Sequence, residues 1–263
     1  MKNIIKVITV NILFLSGLVT NAQEIDNNQV SKQNFFNTNI DYQAKVQLSI
    51  GGASPLGIPA QIRKIESFKP DNILGFEVNA TKWLNDEKNF GIRVGLRVEG
   101  RGMKTEAEVK NYFTQIEDDS GAQTTGYFTG HVVTKANNTY LTLPVLFVWN
   151  ASNRWNIYGG VYFSTTISRS FKGHIFDGVF REGTPIGEPA TFEGTAIGVY
   201  DFSTDISTFQ FGEQIGVEYK INKNFSVSLD GTFANTQVFK KDFDAISFKM
   251  YNLFGNLSLA YKF

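Results

Sequence analysis

Cysteine is absent from the 263 residues. That excludes disulfides, thiolate metal sites and cysteine nucleophiles, and with them a cysteine-linked lipid anchor. Histidine is nearly absent: His131 and His174 are the only 2, too few for an ordinary His-rich zinc site. Net charge is missing too, since Lys+Arg and Asp+Glu are equal at 25 each. Without a basic excess, nothing points to nucleic acid. Beyond the first 22 residues there is no long apolar run, whereas a membrane-spanning helix takes about 20 apolar residues. What the chain does have in quantity is aromatic side chains, 14% of the total, with 24 phenylalanines.

The one apolar run reads as a secretory signal over residues 1–22. Lys2 and Lys6 give a positive start, Ile8 to Val19 form an apolar stretch interrupted by Asn11, and Ala22 is a small residue suited to cleavage before Gln23. Residues 23–41 are rich in Asn and Gln and read as a flexible leader. Residues 42–263 read as one domain.

In that domain the period is two. Tyr42, Ala44, Val46, Leu48 and Ile50 are apolar, and Gln43, Lys45, Gln47 and Ser49 between them are polar. This is strand periodicity, not helical periodicity. The pattern recurs from Leu74, Phe90, Leu141, Trp155, Phe209, Phe225 and Tyr251, which makes eight segments. Each is long enough for a tilted strand to cross a bilayer, about 9–11 residues. The connections alternate in length. Asn85 to Asn89, Asn150 to Arg154 and Ile221 to Asn224 are tight polar turns, whereas Ala53 to Asp71, Lys104 to Asn137, Ser170 to Ile206 and Val238 to Ile246 are long. The expected fold is all-β: a closed, antiparallel, eight-stranded up-and-down barrel that spans the outer membrane, with long loops outside and both termini in the periplasm.

A soluble lipocalin-like barrel would have the same alternation with its faces reversed. The polar row decides for lipid outside, because it carries Lys45, Glu77, Arg93, Arg97, Glu99, Arg101, Glu218, Asp230 and Lys262. Both signs are present, so these charges are able to pair across a narrow lumen. Facing lipid, each would cost about 2–4 kcal/mol near the midplane. Aromatic residues of the apolar row gather beside the short turns: Tyr42, Phe90, Trp149, Trp155, Tyr219, Phe225, Tyr261 and Phe263. They read as an interfacial girdle. Trp83 falls on the polar row by parity, and a slip near the turn would bring it into the girdle. Glu213 falls on the apolar row, either above the membrane or turned inward by a bulge. Pro144 predicts a local break in strand pairing. Phe263, with Leu257, Leu259 and Tyr261 alternating before it, is similar to the terminal signal read by the barrel assembly machinery.

Tyr140-Leu141-Thr142-Leu143-Pro144-Val145-Leu146, followed after a short turn by Trp155-Asn156-Ile157-Tyr158-Gly159-Gly160-Val161, resembles the hallmark hairpin of the Bacteroidetes outer-membrane β-barrel family often called PorT-like. Phe211-Gly212, Gly216-Val217-Glu218-Tyr219 and the terminal Tyr261-Lys262-Phe263 are similar to that family's last strands. The resemblance implies an eight-stranded outer-membrane barrel in a Gram-negative bacterium of that group, and it brings no catalytic residues.

Eight strands leave an interior that side chains alone fill. The lumen charges therefore read as an ionic plug, with a narrow solute channel as the alternative. Asp118, Asp119, Ser120, His131, His174 and Asp177 are the candidates for a barrel enzyme, but no spacing among them matches a catalytic motif. Asp201 and Asp205 lack the pattern of a calcium loop. No cofactor is expected. Tyr112, Phe113, Phe128, Phe176, Phe180, Phe192 and Tyr200 in the long connections form either a binding surface or strands that continue as ribbons. The expected role is a non-enzymatic scaffold presenting its loops for binding, adhesion or envelope assembly. Its expected partners are outer-membrane lipid and lipopolysaccharide, the barrel assembly machinery, and an extracellular or envelope protein or glycan.

Overall fold

A computed structural model describes residues 38–117 and 122–263. The signal expected over 1–22, the leader up to residue 37, and Asp118, Asp119 and Ser120 lie outside the described residues. The rest is almost entirely strand: β1 (Ile40–Pro55), β2 (Ile62–Asp71), β3 (Leu74–Trp83), β4 (Phe90–Glu117), β5 (Gln123–Asn150), β6 (Trp155–Ser168), β7 (Phe171–Glu182), β8 (Pro189–Phe192), β9 (Gly198–Asp201), β10 (Phe209–Lys220), β11 (Phe225–Gln237) and β12 (Met250–Lys262). The first strand begins at Ile40, so the last two residues assigned to the leader belong to the sheet.

All pairings are antiparallel, and they close on themselves. The circuit runs from β1 through β3, β4, β5, β6, β10, β11 and β12 back to β1. The expected count of eight strands is therefore corrected: the sheet has 12. The additional strands arise because the walls run on past one end of the closed circuit and break as they do so. β2 continues the line of β3 along β4, since Asp71 pairs with Gly102 and Gly75 with Glu99. The joint is Asn72, at φ 48°, a left-handed conformation that asparagine tolerates. β7 likewise continues β6 along β5, and β8 and β9 pair with β7.

β4 and β5 show the same extension without a break. Each is 28 residues long, nearly three times the ~10 that a bilayer crossing needs. Lys104 to Asn137 is thus no loop but a continued ribbon, paired from Lys104–Lys135 to Glu117–Gln123. One bulge interrupts it, between Val109 and Tyr112, where Asn111 has φ 52°. At the opposite end the three tight turns are polar. Asn85 Oδ1 accepts the Asn89 amide and Asn222 Oδ1 the Asn224 amide, both at 2.9 Å, the asparagine geometry that closes turns.

Two apolar clusters lie inside. A large one fills the long-strand end: Met103, Val109, Phe128, Val132, Phe171, Ile175, Phe180, Tyr200, Phe202, Ile206, Phe239 and Ile246 belong to it. A small one, Trp83, Leu146, Val148 and Tyr158, sits toward the short-turn end. Between them the interior is polar.

Candidate functional site

Along β4 the inward row reads Gly91, Arg93, Gly95, Arg97, Glu99 and Arg101, all buried. The outward row, Phe90, Ile92, Val94, Leu96 and Val98, is exposed. Beyond Arg101 the same inward row becomes Met103, Thr105, Ala107 and Val109, and the outward row becomes Lys104, Glu106 and Glu108. The two faces exchange polarity within one continuous strand. An outward apolar row requires an apolar surround, and an outward charged row requires water. The exchange near Arg101 therefore marks a boundary between two solvents.

Below that boundary the lumen is filled by paired charges. Arg97 Nε donates to Glu77 Oε2 at 2.8 Å, and its Nη2 crosses to Gln214 Oε1 at 2.7 Å. Arg97 Nη1 is 3.4 Å and Arg101 Nη2 2.9 Å from the Glu99 carboxylate. Glu99 also accepts from Gln47 and Thr142. Arg93 Nη2 meets Glu218 Oε2 at 2.7 Å, and Glu218 also accepts from Gln43, Asn156 and Ser226. Lys45 lies 3.9 Å from Glu77. Asp230 accepts from Tyr158, Gln214 and Asn256.

Four cations (Lys45, Arg93, Arg97, Arg101) thus share the interior with four carboxylates (Glu77, Glu99, Glu218, Asp230), all buried. Each buried ion costs several kcal/mol of lost hydration, offset only where pairing and hydrogen bonding are nearly complete. That requirement explains the neutral polar residues on the same rows. Parity alone put Gln43, Gln47, Thr142, Asn156, Gln214 and Asn256 on the inside; their role as partners to the carboxylates was not read from the sequence.

Aromatic rings complete the filling. The Arg101 guanidinium lies 5.4 Å, 5.0 Å and 5.5 Å from the rings of Tyr140, Tyr162 and Phe254, within cation–π range. Tyr162 lies across Gly212 and Tyr158 across Gly216, where a Cβ would come within 2.6 Å and 2.8 Å of the rings. Glycine on β10 is what lets these rings turn into the lumen.

Lys262 does not join the network. It lies at the short-turn rim, half-buried, paired with Asp41 at 2.6 Å; Asp41 also takes Lys88 at 2.9 Å. Trp83 keeps strict parity with no slip: it is buried, its Nε1 donates to Asp41 Oδ2 at 2.7 Å, and the β3–β4 register runs unshifted to Trp83–Gly91. A hydrogen-bonding partner inside removes any need for it to face out. Glu213 points outward with no bulge in β10, and Asn235 Nδ2 donates to it at 3.3 Å. At Pro144 the β4–β5 pairing is interrupted between Val94–Val145 and Arg97–Thr142, with the register unchanged on either side. Tyr42, Phe90, Trp149, Trp155, Phe225, Tyr261 and Phe263 are exposed and Tyr219 half-exposed beside the short turns. Trp155 and Tyr219 pack at 4.9 Å, and Phe225 and Tyr261 at 5.2 Å.

At the other end, Phe128, Phe180 and Tyr200 are buried, and Tyr112 and Phe192 pack against them. These five are core rather than binding surface, because strands continue over them. Phe113 and Phe176 stay half-exposed. His131 bonds Glu66 at 3.2 Å, and His174 packs on Phe176 at 5.7 Å. Among the described residues no group of three His, Asp or Glu is placed to hold a metal ion. Burial pushes the Tyr112 and Tyr200 hydroxyls well above the usual tyrosine range. Burial also pushes the Asp201 carboxyl up, but hydrogen bonds from Lys172 and Ser203 outweigh it and hold that group below the ordinary aspartate value.

Among curated proteins no relative matches the chain. Solved structures that resemble it include bacterial outer-membrane barrels. Neisserial surface protein A is 12% identical, with 86% of this chain and 98% of that one aligned at a TM-score of 0.34. Ail, the attachment invasion locus protein of Yersinia pestis, is 11% identical over 85% of this chain and 97% of that one, with a TM-score of 0.31. OprG of Pseudomonas aeruginosa is 12% identical over 85% and 94%, with a TM-score of 0.32. The family model described as "Outer membrane protein beta-barrel domain" matches residues 21–240. The chain belongs to that outer-membrane β-barrel family.

Proposed function

We propose that this protein is a plugged barrel whose membrane-spanning ring consists of eight antiparallel passes, and that it carries a folded, non-enzymatic binding module on the cell surface. The observation that carries this reading is the exchange of polarity along β4. Below Arg101 the inside is a charge-balanced polar plug; above it the inside is an apolar core. A porin would keep water where Arg97 and Glu99 are fully buried. In this reading the short turns and both termini face the periplasm, the exposed aromatics form the interfacial girdle, and Phe263 serves the assembly machinery. The hairpin around Pro144 supports membership of the PorT-like Bacteroidetes group. The partner is an extracellular or envelope protein or glycan, with lipopolysaccharide around the wall.

Planar-bilayer recording of the purified protein tests the plug. The expected result is no steady conductance in the wild type and openings in the Arg97→Ala/Glu99→Ala double variant. Steady wild-type openings would make the narrow channel the better reading.

A further inference from the structure

We propose that the protein holds an aliphatic chain in a cavity above its plug, opening between β1 and β2 where the wall meets the outer boundary of the membrane. The inference rests on the membrane-spanning reading above, and an unfolded or soluble protein is recognised separately by loss of its heat-modifiable band.

The wall has an opening. β1 pairs with β3 only as far as Leu48–Leu74, with one further backbone bond from the Ser49 amide to the Ile73 carbonyl at 2.7 Å. Above this level β2 takes over from β3 along β4. Among the described residues no ladder joins β1 to β2, so Ile50–Pro55 pairs only with β12. The barrel wall is therefore unzipped on one side, just beyond the outward apolar residues Leu48, Ile50 and Leu74.

Behind the opening lies a cavity of about 350 Å³, lined by Ala53, Ile65, Phe68, Met103, Ala107 and Val132 among others. That volume falls within the usual ~300–1,000 Å³ of small-molecule sites. Among the described residues no charged side chain lines it. It reaches Leu253, an exposed residue of the outward apolar row of β12, so its lining continues into the lipid-facing surface. Met103, an inward residue of β4, packs against Gly52 across the opening, where a Cβ would collide with its sulfur.

The cavity side also leaves apolar surface uncovered. Ile65 pairs with Ala107 and Phe68 with Thr105, which places both on the inward face, yet they are 53% and 45% exposed. Covering large apolar side chains stabilises the folded protein. An uncharged lining that opens onto the lipid surface suits a hydrocarbon chain. Below, the plug blocks passage, so the site binds rather than conducts.

All three native tryptophans, Trp83, Trp149 and Trp155, sit toward the short-turn end, so Phe68→Trp adds a reporter in the cavity. The test uses the full chain in lipid nanodiscs and a bromine-bearing fatty acid as quencher. The expected result is saturable quenching of the Phe68→Trp signal, reversed by the unbrominated acid and lost in Phe68→Trp/Ala107→Phe, which still shows its heat-shifted band. If Ala107→Phe fails to fold, displacement by the unbrominated acid decides alone. Quenching by brominated phospholipid in the disc without added acid assigns the chain to bilayer lipid, and quenching only by added acid assigns it to a free amphiphile. Unsaturable quenching with the same concentration dependence as in the parent protein overturns the proposal, as does saturable quenching that Ala107→Phe leaves intact in a folded barrel.

Discussion

Arg93 on β4 and Glu218 on β10 meet inside the ring at 2.7 Å, each side chain only 2% exposed. They are 125 residues apart in sequence, so the contact exists only when the sheet has closed. Removing one partner strands the other charge in a low-dielectric interior. Glu218→Ala is expected to cost about 3–5 kcal/mol, read as the midpoint of urea unfolding in micelles. Arg93→Met/Glu218→Leu is expected to recover most of that loss. Equal losses in the single and double variants would show that the pair acts through shape rather than charge.

The apolar core at the long-strand end is spatially separate from the plug. Phe128 is fully buried there, against Phe192. Phe128→Ala is expected to cost about 3–5 kcal/mol and to open that end to limited proteolysis. The ring itself should keep its heat-shifted band, since its ladders and plug are untouched. Loss of both together would mean that the two ends fold as one cooperative unit.

Lys69, Lys104, Lys135 and Lys172 are successive cross-strand neighbours on β2, β4, β5 and β7. Lys135 and Lys172 have carboxylate partners, Asp71 at 3.2 Å and Asp201 at 2.8 Å. Lys104 stands between two lysines and has none among the described residues. Like charges directly opposite destabilise a sheet. Lys104→Glu is therefore expected to stabilise the ribbon by roughly 0.2–1 kcal/mol, and the gain should shrink as salt screens it. Thermal denaturation at two ionic strengths checks both the sign and the screening.

Asp201 has a carboxyl held below its ordinary value by Lys172 and Ser203, against the upward push of burial. A depressed carboxylate stabilises the folded form above its unfolded pKa of about 3.9 and loses that contribution as pH falls through the lower folded value. The clasp between β7 and β9 is therefore expected to loosen below about pH 4. Protection factors of the Val199 to Asp201 amides, referred to the intrinsic exchange rate at each pH, should fall there in the wild type, and should already be low at pH 7 in Asp201→Asn. Unchanged protection at pH 3 would contradict this.

Much of the ring was legible because a strand that borders lipid on one side and a packed lumen on the other must alternate strictly. Tyr42 to Ile50 and Phe90 to Val98 did so, and the rows they implied match the exposed and buried residues of β1 and β4. The ribbons were harder to read. Met103, Thr105, Ala107 and Val109 alternate with Lys104, Glu106 and Glu108 just as regularly, but in the opposite phase, because inside and outside have exchanged solvents. The bulge at Asn111 then shifts the phase again, and the segment looked like a loop. Parity placed Trp83 inside, but the slip expected to bring it into the girdle does not occur. Its inward position became intelligible only with Asp41, 42 residues away, as its hydrogen-bond acceptor. The opening between β1 and β2 has no local signature, since it depends on which strand fails to pair.

The most direct test of which face meets lipid, and which end meets the outside, uses the absence of cysteine. Single cysteines are placed at Glu188 in the long-strand module, Lys223 in a short turn, and Leu257 on the outward row of β12. Intact cells are then treated with a membrane-impermeant thiol reagent. Labelling is expected of Glu188→Cys at once, of Lys223→Cys only after the outer membrane is opened, and of Leu257→Cys only by a lipid-soluble reagent. Labelling of Leu257→Cys by the impermeant reagent in the folded protein would contradict the account, because the apolar row would then face water.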